Sequence, residues 1–548
     1  MVKSRRMSGL GHEQTDGSGM GPPTLGRRAL GAMMVAALAA PHLVHAAETS
    51  TFVSAFGLPA NLDPHQVFDV PMQAVILNAY DGLYRYQNDP PELVPWLAES
   101  HTVSEDGLVW EFTLRSGVKF HDGSDLTAED VVYSFQRVLG LKLAPAGAFL
   151  PILSPDRITA PSPLVVRFEL KTPYAPFFAA IPIVAIVNPR LVRAHETNGD
   201  WAKSWLAQNG AGSGAYKIIA ESYRPLEQLD MDINENHFLG WAHNPNPVQR
   251  IASRPVRETS TRVLALLNGT IDCTDTNLPA DQVDRINASK VAYVQKDTVM
   301  RIFIIRMNNT RPPFNNLNAR LAFAHAFDYD GFIKDILGGY ATRDPYPMPD
   351  TLWGIPKDVK GYDYDVAKAK EYVTKALAEG APMHRPVEIH VQSENEQSVQ
   401  AAQLFQAGLG EAGINAKVVG DTWENLTANA KSAETTPDMW IHWISTYFVD
   451  PENWVGQMYD SQFHGTWKAS CWYKNPDVDT LLRKARMTLK QEDRATLYQQ
   501  AIRQIVADSP DVWVYNSMQL QGLNKRVKGR RFCTVGQGSE MRTVSLDA

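Results

Sequence analysis

Residues 387–444 constrain the fold most. The run VEIHV is a strand, residues 397–409 place Val399, Ala402, Leu404 and Phe405 on one helical face, and INAKVV is a second strand. Such a βαβ unit is right-handed and parallel in nearly all proteins. The following DMWIHWI is apolar on both faces, with Met439, Ile441 and Trp443 opposing Trp440 and Ile444, as expected of a central parallel strand. Ligands of open α/β sheets sit beyond the carboxyl ends of the strands. Two loops therefore become candidates, 392–395 and 445–451.

At 548 residues the chain exceeds the ~250–300 at which one core stops growing, so at least two lobes are expected. Met300 to Met307 is apolar apart from Arg301 and Arg306, and VWVYN (512–516) is a second buried strand. These two strands are the expected crossings between lobes. Lobe one would comprise 47–299 with 512–548, including an inserted subdomain over about 82–209, and lobe two 300–511. Within these, 259–275 reads as a helix running into a strand, and 317–327 and 330–337 as helices.

Residues 1–46 read as a removable leader. Arg27-Arg28 precedes the apolar run Ala29 to Ala40, and Val44-His45-Ala46 suits cleavage before Ala47. Paired arginines and a mild, Ala-rich run favour twin-arginine export, with general secretion the alternative. The leader's five cations and two anions make it +3, so the remaining 502 residues carry −10 against −7 for the whole chain. That acidity argues against nucleic acid and against adsorption to anionic lipid. No run beyond the leader approaches a membrane span, and no Cys follows it to carry a lipid, so a freely diffusing, periplasmic monomer is expected.

The stretch LAESHTVSEDGLVWEFTLRSGVKFHDGSDLTAEDVVYSFQR (97–137) has a plain local reading: an alternating strand around Trp110, Phe112 and Leu114, Asp-Gly turns at 106–107 and 122–123, and a helix capped by Thr127. It resembles the signature of the peptide-type (family 5) solute-binding proteins of bacterial ABC importers. GAGSGAYKI from Gly210, RPPFNNLNARLAFAHAFDYDGFI from Arg311, YDVAKAKEYVTKAL from Tyr364 and WISTYFVDPENW from Trp443 extend the resemblance over nearly the whole chain. It implies an α/β, two-lobed periplasmic-binding-protein fold of class II with an extra inserted domain and a hinge. It also implies a receptor that closes on a solute and delivers it to membrane permease subunits. Relatives place ligand-facing groups just after the Asp-Pro turn, which points here to Phe68 and Asp69. In dipeptide-binding relatives an Asp three residues after the Trp of the third loop holds the ligand's amine, and an Arg in the first loop clamps its carboxylate. Thr446 (or Tyr447) occupies the first position and Ser393 or Glu394 the second. Both clamps being lost, a free dipeptide is not the expected ligand. A sugar, a longer peptide held by its backbone, or a cation near Glu394 fits better, and a sensor on the same scaffold is the rival role.

Dipeptide-binding relatives also carry two disulfides, of which Cys273 and Cys471 match one half each. Unpaired thiols are expected, with a Cys471–Cys533 bridge the alternative. No catalysis, cofactor or metal is expected. GAGSGAYKI lacks G-x-S-x-G, because Ala211 and Ala215 flank Ser213, and reads as a tight turn. His195-Glu196 lacks a second His, Asp122, Asp125 and Asp130 lack calcium spacing, and His442 and His464 read as structural.

Overall fold

The computed structural model describes residues 50–535 and 538–547; the leader lies outside them. A six-stranded sheet runs in the order Ala341–Arg343, Asp511–Asn524, Ala292–Met307, Met439–Ile444, Val387–Gln392, Ala416–Asp421. The βαβ unit is there as expected: Val387–Gln392 lies parallel to Ala416–Asp421, and Glu396–Glu411 is the crossover helix. Met439–Ile444 is buried at every position, yet only one neighbour, Val387–Gln392, is parallel to it. Its other neighbour, Ala292–Met307, is antiparallel, so the sheet is mixed. Burial on both faces needs a central strand, not a parallel one, and Met439–Ile444 is central in either case.

Ala292–Met307 and Asp511–Asn524 are longer than the sequence suggested and pair antiparallel for most of their length. The polar residues of Gln295-Lys296-Asp297 disguise the first half of the outgoing strand. Its ladder to the returning strand breaks between Thr298 and Ile302. On the far side of that break, Leu523 bridges to Cys273 and Leu520 to Asn277. These paired strands thus run from the six-stranded sheet towards the four-stranded sheet Thr51–Ser54, Arg250–Ser253, Gln228–Ile233, Tyr216–Arg224. The 259–275 stretch forms the helix Thr259–Leu267, but no strand follows; Cys273 makes only single bridges, to Ser54 and Leu523. Of the 317–337 pair, Leu317–His325 is a regular helix, whereas Tyr329–Gly331 is a single turn leading into a π-turn at Phe332–Ile336.

A further four-stranded sheet, Ala98–Val103, Val109–Leu114, Val165–Glu169, Ile158–Ser162, packs under the helix Ala128–Leu141. Thr127 caps that helix, and its N–H donates to Asp130 Oδ2 at 2.7 Å. Arg137 on the same helix clamps Asp63 through two hydrogen bonds of 2.8 and 2.6 Å, both side chains fully buried. The GAGSGAYKI glycines form no tight turn, and neither Gly212 nor Gly214 has positive φ. A Cβ on Gly212 would stand 2.0 Å from the Ala79 carbonyl, and one on Gly214 2.4 Å from that of Asn78. They permit close approach to the end of the helix Val70–Ala79, while Ser213 Oγ donates to the buried Asp81 at 2.7 Å.

All three cysteines are free thiols; Cys273 and Cys471 are buried and Cys533 partly exposed. Among the described residues no helix is long and apolar enough to cross a membrane, and no His/Cys/Asp/Glu cluster could hold a metal.

Burial also sets a pH response. His65, fully buried, bonds through Nε2 to the Ala185 carbonyl at 2.8 Å, and burial reinforced by the Arg137 charge pushes its pKa down to about 4. His121, bonded through Nε2 to Gly214 O, is likewise lowered to about 4 by burial. An unfolded His takes up its proton near pH 6.5, whereas these two stay neutral in the fold until about pH 4. Their contribution is therefore complete above pH 6.5 and lost as pH falls from 6.5 towards 4. Stability should drop by up to about 1.4 kcal/mol per pH unit for each group in that window. Urea melts at pH 6.5, 5.5 and 4.5 check this, and His65→Gln should flatten the slope.

Candidate functional site

The site is assembled where the outgoing hinge strand meets the loop after Met439–Ile444. Thr446 is buried, and its Oγ1 donates to the Met300 carbonyl. This fixes the loop against Arg301. Trp443 is only 7% exposed. Its ring meets Phe303 edge-on at 4.9 Å, and its Nε1 donates to the Tyr515 hydroxyl at 3.2 Å. Phe303 in turn stacks on Tyr515 at 4.7 Å. On the Trp443 ring lies the Arg301 guanidinium, 4.6 Å from the centroid.

Tyr447, half-buried, meets Phe68 at 4.9 Å between ring centroids. The contact joins the segment following the Asp-Pro turn to the loop after the central strand. Lys468 Nζ lies 4.6 Å from the Tyr447 centroid and donates to Asn453 O, Asn453 Oδ1 and Gln457 Oε1. Burial pushes that ammonium down to about 7. The loop's rear is tied down by Asp450, which accepts two 2.8 Å bonds from Arg494, and by Val449 N–H, which donates to the Tyr86 hydroxyl.

Asp69 is the N-cap of the helix Val70–Ala79, with Oδ1 accepting from Met72 N–H at 2.8 Å. Burial, and to a lesser degree the charge of Glu424, raises its pKa. Ser393 and Glu394 are exposed, and Ser393 Oγ donates to Asp421 O at 3.3 Å. The structure thus brings Phe68, Trp443, Thr446 and Tyr447 to one region, with Asp69 beside Phe68, and leaves Ser393 and Glu394 at the surface. From the 392–395 side the residue that reaches inward is Gln397, whose Oε1 accepts from the Tyr515 hydroxyl at 3.4 Å. Trp440 and Trp454 are buried packing residues, and Trp423 packs on Trp440 at 5.9 Å. His442 stacks on Trp440 at 3.9 Å, with its pKa driven down by burial.

Sequence reasoning missed Arg301, Gln397 and Tyr515. A signal existed for the first: Arg301 and Arg306 interrupt an otherwise apolar buried strand, and a buried charge needs a partner. Arg306 has one, since its guanidinium forms two hydrogen bonds to Asp511, at 3.2 and 2.9 Å. Among the described residues Arg301 forms no ion pair; its Nη1 donates to Asn277 Oδ1 at 2.9 Å.

The sequence model of the bacterial extracellular solute-binding proteins, family 5 (middle), matches residues 92–465. This chain belongs to that family. The family-5 chain is 30% identical to the "Probable D,D-dipeptide-binding periplasmic protein DdpA" of Escherichia coli K12, over 86% of its own length and 89% of the relative's. It is 28% identical to the glutathione-binding protein GsiB of Pectobacterium atrosepticum, over 88% and 90%. The solved structure of the ABC transporter-associated periplasmic binding protein DppA from Helicobacter pylori, in complex with the peptide STSA, superposes with a TM-score of 0.81 at 26% identity. That match covers 91% of this chain and 98% of the other. The two-lobed fold and the solute-binding role of the family-5 chain follow from these matches, as the resemblance implied.

Proposed function

We propose that this protein is a periplasmic receptor that closes two lobes on a peptide-like solute and passes it to the permease of an ABC importer. The lobes are taken as 47–299 with 512–548, including the 82–209 insertion, and 300–511, behind a cleaved leader at 1–46. The observation that carries the reading is the Phe68–Tyr447 contact, which joins aromatic side chains from the two segments so taken, beside the end of the central strand. The relatives support the solute class: a D,D-dipeptide, glutathione and the peptide STSA all present amide backbone, whereas a sugar has no counterpart among them. Aromatic faces and neutral hydrogen-bonding groups suit such a backbone. A solute that touches both lobes stabilises the closed form, and one that touches a single lobe shifts nothing.

Small-angle scattering of the mature protein should show a smaller radius of gyration with saturating D-alanyl-D-alanine, trialanine or glutathione than without. Native mass spectrometry of freshly purified protein should show a retained peptide. No retained peptide and no compaction with any of the three would overturn the reading.

A further inference from the structure

Buried polar atoms in a folded protein nearly always have partners, so a group of them without any in the protein calls for a bound partner, from water or ion to ligand. Four such atoms belong to residues that line one cavity here: Arg301 Nε, Ser517 Oγ, and Nε2 and Oε1 of Gln519. Asn277, Gln397 and Trp443 are among its other lining residues. The cavity measures about 20 Å³, room for a group little larger than one water. It draws on both lobes, because Asn277 comes from the side of the Thr51–Ser54 sheet and Gln397 from the crossover helix.

The charge is one-sided. Arg301 enters from the outgoing hinge strand, its position on the Trp443 ring fixed by that stacking and by Asn277. Its backbone is held too, by Arg301 N–H donating to Asn516 Oδ1 at 2.9 Å. No carboxylate among the described residues pairs with it, in contrast to Arg306 five residues on. Arginine presents a planar fork of donors that matches a carboxylate in two parallel bonds, and Ser and Gln supply further neutral donors.

We propose that this cavity receives the terminal carboxylate of the solute, with Arg301 as its counter-ion and Ser517 and Gln519 as auxiliary donors. The rest of the solute runs toward Tyr447, on which the Arg301 charge also acts, and Phe68. The proposal rests on the peptide-receptor reading for the solute but not for the anion. It reverses the expectation that a free carboxylate is disfavoured: the clamp absent from the 392–395 loop is supplied from the hinge strand. Because that strand links the lobes, the anchored end sits at the pivot of closure.

The test offers the mature protein two probe pools in native mass spectrometry. One holds dialanine, D-alanyl-D-alanine and trialanine, each as free acid and as C-terminal amide; the other holds succinate, glutarate and benzoate. Wild type should retain acids over amides by roughly 10–100-fold, the scale of a charge-assisted hydrogen-bonded pair. Arg301→Gln should erase that preference and Arg301→Lys keep part of it, with thermal melts reporting that each variant is folded. Equal retention of acid and amide by wild type, or a preference that survives in Arg301→Gln, overturns the carboxylate site and leaves the peptide reading standing. Retention of the second pool alone, lost in Arg301→Gln, supports the site and overturns the peptide reading. Retention of neither pool overturns both. If Arg301→Gln does not fold, the acid-to-amide ratio of wild type and Arg301→Lys decides.

Discussion

Replacing Arg306 by Met should destabilise the protein by about 3–5 kcal/mol, as removal of one partner from a buried ion pair does. Both Arg306 and Asp511 have fully buried side chains. Beyond its two bonds to Asp511, the guanidinium donates to the Lys468 carbonyl and reaches Met458 Sδ at 3.4 Å. Asp511 accepts a third bond from the Tyr459 hydroxyl at 2.7 Å, and that hydroxyl accepts from Trp513 Nε1 at 2.8 Å. Removing Arg306 therefore strands an anion beside Tyr459, whose hydroxyl is then its one side-chain donor among the described residues. The double change Arg306→Met with Asp511→Leu removes both charges and should recover most of the loss, because a pair replaced by apolar groups of similar size is often neutral. Guanidinium unfolding followed by Trp fluorescence measures all three. A single variant within 1 kcal/mol of wild type would show that the pair contributes little.

The contrast between Arg306 and Arg301 also explains what was legible in the sequence. Periodicity alone placed Val387–Gln392, Glu396–Glu411 and Ala416–Asp421, because each buries one face against a neighbour and the spacing records it. The same reasoning led to the loop carrying Thr446 and Tyr447. It could not give the direction of the strand beside Met439–Ile444, since burial on both faces is compatible with either pairing. Nor could it separate two arginines in one strand: the partner of one lies 205 residues away, and that of the other is not a charged side chain of the protein. The glycines of GAGSGAYKI misled for a related reason. Glycine serves positive φ and close backbone approach alike, and only the Ala79 carbonyl against Gly212 distinguishes them. Ser393 and Glu394 stand where the resemblance places the relatives' arginine, but Asn395 ends that loop as the N-cap of the next helix, its side chain accepting from Ser398 N–H. That cap sets the helical phase, and Gln397 then turns inward.

Trp443 is the second position of large effect, and its expected behaviour follows from what covers its ring. A tryptophan stacked directly on a solute would, when cut to Ala, cost binding while sparing the fold. Here the ring is packed on Phe303, bonded to Tyr515 and covered by the Arg301 guanidinium. Trp443→Ala should therefore cost about 3–5 kcal/mol of stability through the cavity left in the sheet's core. Binding should fall as well, because Arg301 loses the surface that holds its fork in place. Trp443→Phe separates the two effects. It keeps an aromatic face under Arg301 and loses the bond to Tyr515, whose hydroxyl still reaches Gln397, so the stability cost should be near 1 kcal/mol. The acid-over-amide preference of the free and amidated alanine peptides should then survive in Trp443→Phe and vanish in Trp443→Ala measured below its melting temperature. A Trp443→Ala protein that melts like wild type would mean that the ring is not part of the core. One that melts early but keeps the full acid preference would mean that Arg301 holds its position without the ring, through Asn277 alone.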